Sequence, residues 1–219
     1  MAYEFKAIWV AVVFFPIGLL AAGCAPSYDA AAKQLVAAKS CCRDLTEFKY
    51  EELPQDEPLV FELNQSSPAF NFPSGKSFFK ALRLPERSLP YTIKIRSYAQ
   101  GNSNLDSYIF YPKILLLNDS FALEKKILPD LVLERNARAA MKENFGGPDL
   151  LFSGVIRISE PQQRYLIVIT TDALLASSSR WFLSLGVLAY SPLTPTEGFR
   201  EVPHSPVGKV ALELETVHN

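Results

Sequence analysis

The tripeptide Gly75-Lys76-Ser77 has the residue types and order that end a phosphate-binding loop. Such a loop needs a glycine five positions before the Gly-Lys pair, because the backbone curls around the phosphates, and a helix directly after it. Phe70 occupies the glycine position, and the chain reaches Pro85 without a helical stripe. We therefore expect no nucleotide at this tripeptide.

The segment Ser77-Phe78-Phe79-Lys80 has the Ser-x-x-Lys spacing of penicillin-binding enzymes. That chemistry needs a helix that brings the lysine beneath the serine. In an extended chain the two side chains lie on opposite faces, because their spacing is odd. No Lys-Thr-Gly sequence follows. The motif therefore predicts no penicillin-binding activity.

Other residue types that support catalysis or metal binding are sparse. His204 and His218 are the two histidines, and no Gly-x-Ser-x-Gly sequence surrounds a serine. The adjacent Cys41-Cys42 pair lacks the spacing of a zinc site. The acidic pairs Glu51-Glu52 and Asp56-Glu57 are more typical of solvated charge than of a glycosidase dyad. We expect no enzyme, no metal and no cofactor.

The charge balance limits the class of partner. The chain has 22 basic and 23 acidic residues, for a formal net charge of −1. Nucleic-acid-binding proteins carry a basic patch or stripe, and the sequence has no basic cluster. We therefore expect no nucleic acid.

The N-terminus resembles an export signal. The apolar run AIWVAVVFFPIGLL follows MAYEFK, contains Pro16, and is too short to span a bilayer as a stable helix. Ala21-Ala22-Gly23-Cys24 resembles the lipobox of bacterial lipoproteins, which implies removal of residues 1–23 and lipidation of Cys24. Lipidation would also leave Cys41 and Cys42 as a pair. The alternative is plain cleavage that leaves a free thiol. Because Ala25 rather than aspartate follows, the resemblance implies anchoring to the outer membrane on the periplasmic side.

A helical pattern follows the signal. Ser27 can cap a helix whose apolar stripe consists of Tyr28, Ala31, Leu35, Ala38, Cys42 and Leu45. Cys41 and Cys42 are then two half-buried thiols; a vicinal disulfide, which would break the helix, or an intermolecular bond are the alternatives. Further helices are predicted over Ala137 to Asn144 and after Asp172.

Alternating apolar and polar residues predict strands in most of the remaining chain. The apolar run Tyr165 to Thr170 is expected to be a central strand, with Leu150 to Ser159 as its antiparallel partner across a Glu160–Gln163 turn. Further strands are predicted at Leu59–Leu63, Tyr91–Ser97, Pro112–Asn118, Leu131–Arg135 and Val210–Leu214.

The order of these elements predicts a mostly β fold. Strands outnumber helices and show no βαβ alternation, which favours an antiparallel β-sandwich or jelly-roll-like domain preceded by an N-terminal amphipathic helix. We expect a lipoprotein signal at 1–23, an N-terminal helical segment at 24–54 and the β-sandwich domain at 55–219.

The tripeptide has a simpler explanation as part of a turn. Phe72-Pro73-Ser74-Gly75 has proline and glycine at the positions that a type I turn prefers. The turn would join a strand through Phe70 and Phe72 to one through Phe79 and Ala81, and would leave Lys76 on a solvated loop.

The stretch around this turn resembles a known family. SPAFNFPSGKSFFKALRLPERSLPYTIKIRSY (Ser67 to Tyr98) is similar to the core segment of the maltose-operon periplasmic protein family, the MalM-like proteins. YLIVITTD (Tyr165 to Asp172) and HSPVGKVALELE (His204 to Glu215) resemble later strands of that family. The motif positions are Ser67, Pro68, Phe70, Phe72, Pro73, Gly75, Lys76 and Ser77. The resemblance implies a periplasmic protein associated with maltodextrin uptake, and it implies no reaction.

Aromatic residues outside that motif are candidates for sugar contacts, because saccharide CH faces pack on flat rings. Trp181 is the preferred candidate, since it follows the polar run Ser177-Ser178-Ser179-Arg180. The other candidates lie near loops of the predicted sandwich: Tyr108, Phe110, Tyr111 and Tyr190.

These observations leave three functional hypotheses. The favoured one is a non-catalytic periplasmic lipoprotein of carbohydrate transport that binds maltodextrin or a sugar porin or transporter component. The second is a cell-envelope interaction or structural lipoprotein without a sugar site. The third is a hydrolase with an unrecognised site.

Overall fold

The computed structural model describes residues 28–103, 106–135, 150–183 and 198–215. Cys24, Tyr190, His218 and the helix expected over Ala137 to Asn144 lie outside these ranges. Within the described ranges the helical elements are α1 (Tyr28–Ala37), a 3-10 turn (Leu45–Glu47) and α2 (Asp172–Leu175).

Sixteen strands follow one another through the described residues. They are β1 (Glu51–Glu52), β2 (Leu59–Leu63), β3 (Ala69–Phe72), β4 (Gly75–Phe78), β5 (Lys80–Arg83), β6 (Tyr91–Tyr98), β7 (Gln100–Ser103), β8 (Asp106–Tyr108), β9 (Lys113–Leu117), β10 (Leu123–Ile127), β11 (Val132–Arg135), β12 (Leu150–Ile158), β13 (Tyr165–Ile169), β14 (Ser178–Leu183), β15 (Gly198–Pro203) and β16 (Gly208–Leu214).

Two five-stranded sheets form the body of the domain. Sheet 1 has the order β1-β5-β13-β9-β10, and sheet 2 has the order β11-β12-β6-β16-β2. The strand pairs are antiparallel except for the short parallel pair of β1 with β5. Three two-stranded ribbons, β3–β4, β7–β8 and β14–β15, accompany the sheets.

One apolar core lies between the two sheets and defines a β-sandwich. Alternate residues of each inner strand point into it, because side chains in a strand alternate between faces. Sheet 1 contributes Leu82, Ile114, Leu116, Leu166 and Val168, and sheet 2 contributes Ile93, Ile95, Ile156, Val210 and Leu212. Ala31 and Leu35 of α1 are buried against the same core. The expected fold class, an antiparallel sandwich preceded by a helix, is confirmed.

The positions of the predicted strands are confirmed, but one predicted pairing is wrong. β13 is central in sheet 1, as expected, yet it pairs with β5 and β9 rather than with β12. β12 pairs with β6 and β11 in sheet 2. The Glu160–Gln163 turn exists, with the Gln163 N–H donating to the Glu160 carbonyl at 3.1 Å, but it carries the chain from one sheet to the other. An alternating pattern reports which face is buried and carries no information on the neighbouring strand.

The first helix is shorter than its apolar stripe suggested. It ends at Ala37, and Cys41 and Cys42 form a vicinal disulfide, the alternative to the expected pair of thiols. Adjacent cysteines cannot easily bond within a regular helix, so the stripe breaks before them. Ser40 instead bridges to Ala69, and the Cys41 N–H donates to the Ala69 carbonyl at 2.9 Å.

A second apolar layer covers the outer face of sheet 1. Residues 39–50, which we call the lead, and the β3–β4 hairpin together lie over this face. The buried members of this layer are Phe48, Phe72, Phe79, Ala81, Leu115, Leu117, Ile167 and Ile169. The domain therefore has three layers, namely sheet 2, sheet 1 and this outer layer, and the motif hairpin is part of the third.

Candidate ligand groove

The hairpin turn lies where the sequence placed it. Phe72 pairs with Gly75 across Pro73-Ser74, and β3 and β4 are antiparallel. The second strand begins at Gly75 rather than near Phe79, so Lys76 belongs to β4 and not to a solvated loop. Ser67 closes the preceding turn, because its hydroxyl accepts the Asn64 N–H at 3.1 Å.

Gly75 is required by both conformation and space. Its φ is +115°, a region that L side chains rarely adopt. A Cβ at this position would overlap the carboxylate of Asp172 in α2. The Asp172 N–H also donates to the Ser74 carbonyl at 3.1 Å, so the turn and α2 are in direct contact.

Lys76 caps the first helix. Its ammonium donates to the Val36 carbonyl at 3.0 Å and to the Ala38 carbonyl. The last carbonyls of a helix lack partners within the helix and carry partial negative charge, which a lysine satisfies. The expectation of a solvated lysine is therefore wrong, because α1 packs over this strand.

Ser77 is committed to a structural contact. It is 0% exposed; its hydroxyl donates to the Phe78 carbonyl at 2.5 Å and accepts the Thr170 N–H at 2.9 Å. Lys80 forms a 2.6 Å ion pair with Glu51 instead of approaching the serine. The three residues of the tripeptide therefore connect the hairpin to α2, α1 and the end of β13, respectively.

The hairpin also presents aromatic rings to the lead. Phe48 stacks on Phe79 with ring centroids 4.1 Å apart, and it meets Phe70 and Phe72 edge-on at 5.1 and 6.2 Å. Phe70 and Phe72 meet each other at 5.0 Å. Such edge-to-face contacts fix the ring orientations beyond what burial alone provides.

A groove of about 420 Å³ lies beside this cluster, on the outer face of sheet 1. Its apolar lining comes from Leu45 of the lead, the hairpin residues Phe70, Phe72 and Pro73, and the strand residues Leu115 and Leu123. Its polar lining comes from Arg43, Asp44, Asn71, Ser74, Lys113 and Lys126. The volume falls within the range of small-molecule sites, roughly 300–1,000 Å³.

The polar lining of the groove combines one carboxylate with cations and neutral polar groups. Asp44 is occupied as the cap of the 3-10 turn, because it accepts the Thr46 N–H at 2.8 Å and the Thr46 hydroxyl at 2.5 Å. These hydrogen bonds lower the pKa of Asp44, so its carboxylate is ionised at neutral pH. The remaining polar groups are an amide, a hydroxyl and three cations around aromatic and aliphatic side chains. The lining resembles a recognition surface for a molecule with both an apolar face and polar groups.

Three of the aromatic residues nominated from the sequence, Tyr108, Phe110 and Tyr111, lie outside the groove lining. Phe110 is 0% exposed and Tyr108 is 5% exposed, so both are core residues without a face for a saccharide. The Tyr111 hydroxyl donates to the Pro129 carbonyl at 2.9 Å, and its ring packs on His204. Trp181 is in β14, with its side chain outside the described part, as is the whole of Tyr190. The groove instead uses Phe70 and Phe72, which the sequence assigned to a structural turn.

A second polar cluster surrounds His204. Its Nδ1 lies 3.0 Å from the Leu174 carbonyl, which can only accept, so Nδ1 carries the proton and Nε2 accepts from the Ser179 hydroxyl at 2.9 Å. Ser177 also contacts Nδ1, at 3.1 Å. A serine donating to a neutral imidazole is one element of a nucleophilic site. Because His204 is 3% exposed and burial lowers its pKa, we interpret the cluster as a structural link between the β14–β15 ribbon and α2.

Comparison with protein-family models, curated proteins and solved structures finds no match for the chain. The resemblance to the maltose-operon periplasmic proteins therefore stays a prediction. Within the described ranges, no helix is long and apolar enough to cross a membrane. The same residues contain no cluster of three or more histidine, cysteine or acidic side chains that could hold a metal ion.

Proposed function

We propose that the protein is a non-catalytic periplasmic lipoprotein of carbohydrate transport that binds maltodextrin-like saccharides in the groove. The observation that carries this proposal is that the motif on which the family resemblance rests also lines the groove. Phe70, Phe72 and Pro73 belong to both. The resemblance of residues 21–24 to a lipobox supports lipid attachment at Cys24, and Ala25 after it supports the outer membrane.

The chemistry of the lining supports a saccharide. Sugar rings pack their CH faces on aromatic rings, and Phe70 is half-buried at the groove wall. Asn71 and Ser74 offer amide and hydroxyl groups, the usual partners of sugar hydroxyls. The ring contacts among Phe48, Phe70 and Phe72 hold the aromatic wall in place before a ligand arrives, which reduces the entropic cost of binding.

Calorimetric titration tests the proposal. The chain from residue 25 onward is titrated with maltose and longer maltodextrins up to millimolar concentrations. We expect saturable heat of binding from the wild-type chain. In Phe70→Ala the affinity should fall about tenfold, because this variant removes part of the aromatic wall. Phe199→Ala is the matched control, because Phe199 is 70% exposed on β15 and does not line the groove.

Absence of heat with every saccharide, neutral or charged, would exclude direct sugar binding. The second candidate, an envelope interaction protein, would then be favoured by the outward face of sheet 2. Val132 and Val155 lie exposed there on the neighbouring strands β11 and β12. A photo-crosslinker at Val155 should then capture a defined envelope protein, whereas the same crosslinker at Lys33 of α1 should not.

A further inference from the structure

The groove has an excess of positive charge that a neutral saccharide does not require. Three cations line it from three different elements: Arg43 from the lead, Lys113 from β9 and Lys126 from β10. The one lining carboxylate, Asp44, is already hydrogen-bonded to Thr46. The formal charge of the lining is therefore +2, although the whole chain carries −1.

The two lysines share one face of sheet 1. Lys126 is directly opposite Leu115 in the register of β9 with β10, and Lys113 is two residues before Leu115 on the same strand. Side chains two apart in a strand point to the same side, so both lysines lie on the outer face. They are diagonal neighbours, whose Cα atoms are roughly 7–8 Å apart in an antiparallel pair. Like charges in such positions repel each other, and an anion between them relieves the repulsion.

Carboxylate partners are supplied to cations at other places in the fold. Lys80 pairs with Glu51 at 2.6 Å, and Lys94 pairs with Glu134 at 3.0 Å. No ion pair joins Arg43, Lys113 or Lys126 to a carboxylate within residues 28–103, 106–135, 150–183 and 198–215. Glu124, the acid on β10, accepts a hydrogen bond from the Asn118 amide at 2.5 Å.

Partial burial makes the charge of Lys113 more effective than a freely solvated one, whereas Arg43 and Lys126 are exposed. Lys113 is half-buried and lies beside apolar Leu115, where water screens less than at an open surface. The lining therefore combines an apolar wall at Phe70 with positive charge, which is complementary to a ligand that has an apolar face and an anionic group.

We propose that the groove selects anionic saccharides, sugars that carry a phosphate or a carboxylate, over neutral ones. The ring packs on the hairpin aromatics, and Arg43, Lys113 and Lys126 bind the anion. This inference rests on the proposed saccharide-binding function and specifies its ligand class.

Separate titrations of neutral and anionic ligands into the chain from residue 25 onward test the inference. The ligands are glucose, glucose 6-phosphate, glucuronate, maltose and inorganic phosphate, each at low and at high salt. We expect glucose 6-phosphate or glucuronate to bind at least about tenfold more tightly than glucose, since one charge-assisted hydrogen bond accounts for a factor of that size. High salt should reduce this preference, because salt screens the charges. The phosphate and carboxylate ligands show which anion the groove prefers.

Charge-removing variants test whether the anionic group binds in the groove. Lys113→Gln and Lys126→Gln should each lower the affinity for the anionic sugar about fivefold or more, and should lower the affinity for neutral maltose by a clearly smaller factor, because no ionic contact is lost there. Lys33→Gln, on the exposed side of α1, is the matched control and should change neither affinity. Urea unfolding of each variant verifies that the fold is intact.

Three results would overturn the inference. Equal affinity for glucose, glucose 6-phosphate and glucuronate would show that the charge is irrelevant, while saccharide binding itself survived. Inorganic phosphate binding as tightly as the sugar phosphate would reveal a simple anion site without sugar recognition. Failure of every sugar, with intact folding, would remove both this inference and the proposed function.

Discussion

At the scale of single residues, the motif that first suggested a phosphate loop serves as a set of structural contacts. Gly75 makes room for the Asp172 carboxylate, Lys76 caps α1, and Ser77 satisfies the Thr170 N–H. Each contact joins the hairpin to a part of the chain far away in sequence. The composition Gly-Lys-Ser is therefore consistent with tertiary packing and does not require a nucleotide.

Substitution of Gly75 tests the two reasons for a glycine separately. Gly75→Ala should destabilise the fold by about 2–3 kcal/mol, because alanine is strained at this φ and its methyl group displaces the Asp172 carboxylate. In an Asp172→Ala background the same substitution should cost less, because only the backbone strain remains. Urea denaturation of the four proteins gives the coupling energy. Equal costs in both backgrounds would show that the carboxylate contact is unimportant.

His204 predicts a specific loss of stability in mild acid. Burial, partly offset by the hydrogen bond to the Leu174 carbonyl, lowers the pKa of His204 below its ordinary value near 6.5. The unfolded chain therefore binds a proton at a higher pH than the folded chain. The contribution of neutral His204 to the free energy of unfolding is fully present above about pH 6.5. It is lost as the pH drops from there to the folded-state pKa, and the free energy of unfolding then falls by at most about 1.4 kcal/mol per pH unit.

Urea titrations between pH 7.5 and 5 measure this slope. His204→Gln should be less stable at pH 7.5, because the ring contacts with Ser179 and Leu174 are lost, and it should show a flatter dependence on pH. The range stays above pH 4.5, because Glu134 loses the stabilisation that its lowered pKa reflects only as the pH falls below that value. An unchanged slope in the variant would assign the effect to another group.

At the scale of elements, the lead is integrated into the fold rather than preceding it. The chain leaves α1, closes the Cys41–Cys42 disulfide, bridges to β3 at Ala69 and inserts Phe48 among the hairpin aromatics. It thereby forms one wall of the groove. The lead therefore packs on the sandwich as its outer layer.

Removal of the Phe48 ring should separate this layer from sheet 1. Phe48 is buried and contacts Phe70, Phe72 and Phe79, so Phe48→Ala should cost about 3 kcal/mol. Hydrogen exchange should accelerate first in residues 39–50. Phe199→Ala, the exposed control, should change stability by less than about 0.5 kcal/mol. Uniform acceleration of exchange over all strands would contradict a separable layer.

At the scale of the whole molecule, two sheets enclose the main core and a third layer carries the groove. The same face of sheet 1 provides the apolar floor at Leu115 and the cations Lys113 and Lys126. Ligand binding would therefore report on the packing of the third layer as well as on the sheet.

The predicted lipid anchor can be tested in cells. Expressed in a bacterial host with labelled palmitate, the wild-type chain should incorporate the label at Cys24 and fractionate with membranes, because two or more acyl chains are needed for stable attachment. Cys24→Ala should lose both properties, whereas Cys42→Ala, the matched cysteine control, should keep them. Labelling of Cys24→Ala, or recovery of an uncleaved wild-type chain in the cytosol, would refute the anchor.

The sequence by itself determined what depends on neighbouring residues. Alternation located β2, β6 and β16, because a strand buried on one face alternates, and unbroken apolar runs located β9 and β13, which are buried on both faces. Pro73 with Gly75 located the hairpin turn. These local signals were sufficient for the fold class. They also placed a short helix after Asp172, where the Thr171 hydroxyl accepts the Leu174 N–H.

The tertiary structure alone decided which distant segments meet. It assigned β12 and β13 to different sheets, placed Lys76 under the end of α1, buried Phe110 and made Phe70 a groove wall. The groove combines the lead, the hairpin and two strands, and its charge results from cations that approach only when these pack together. Such contacts depend on the register and stacking of whole elements, and the period of one segment contains no information on either.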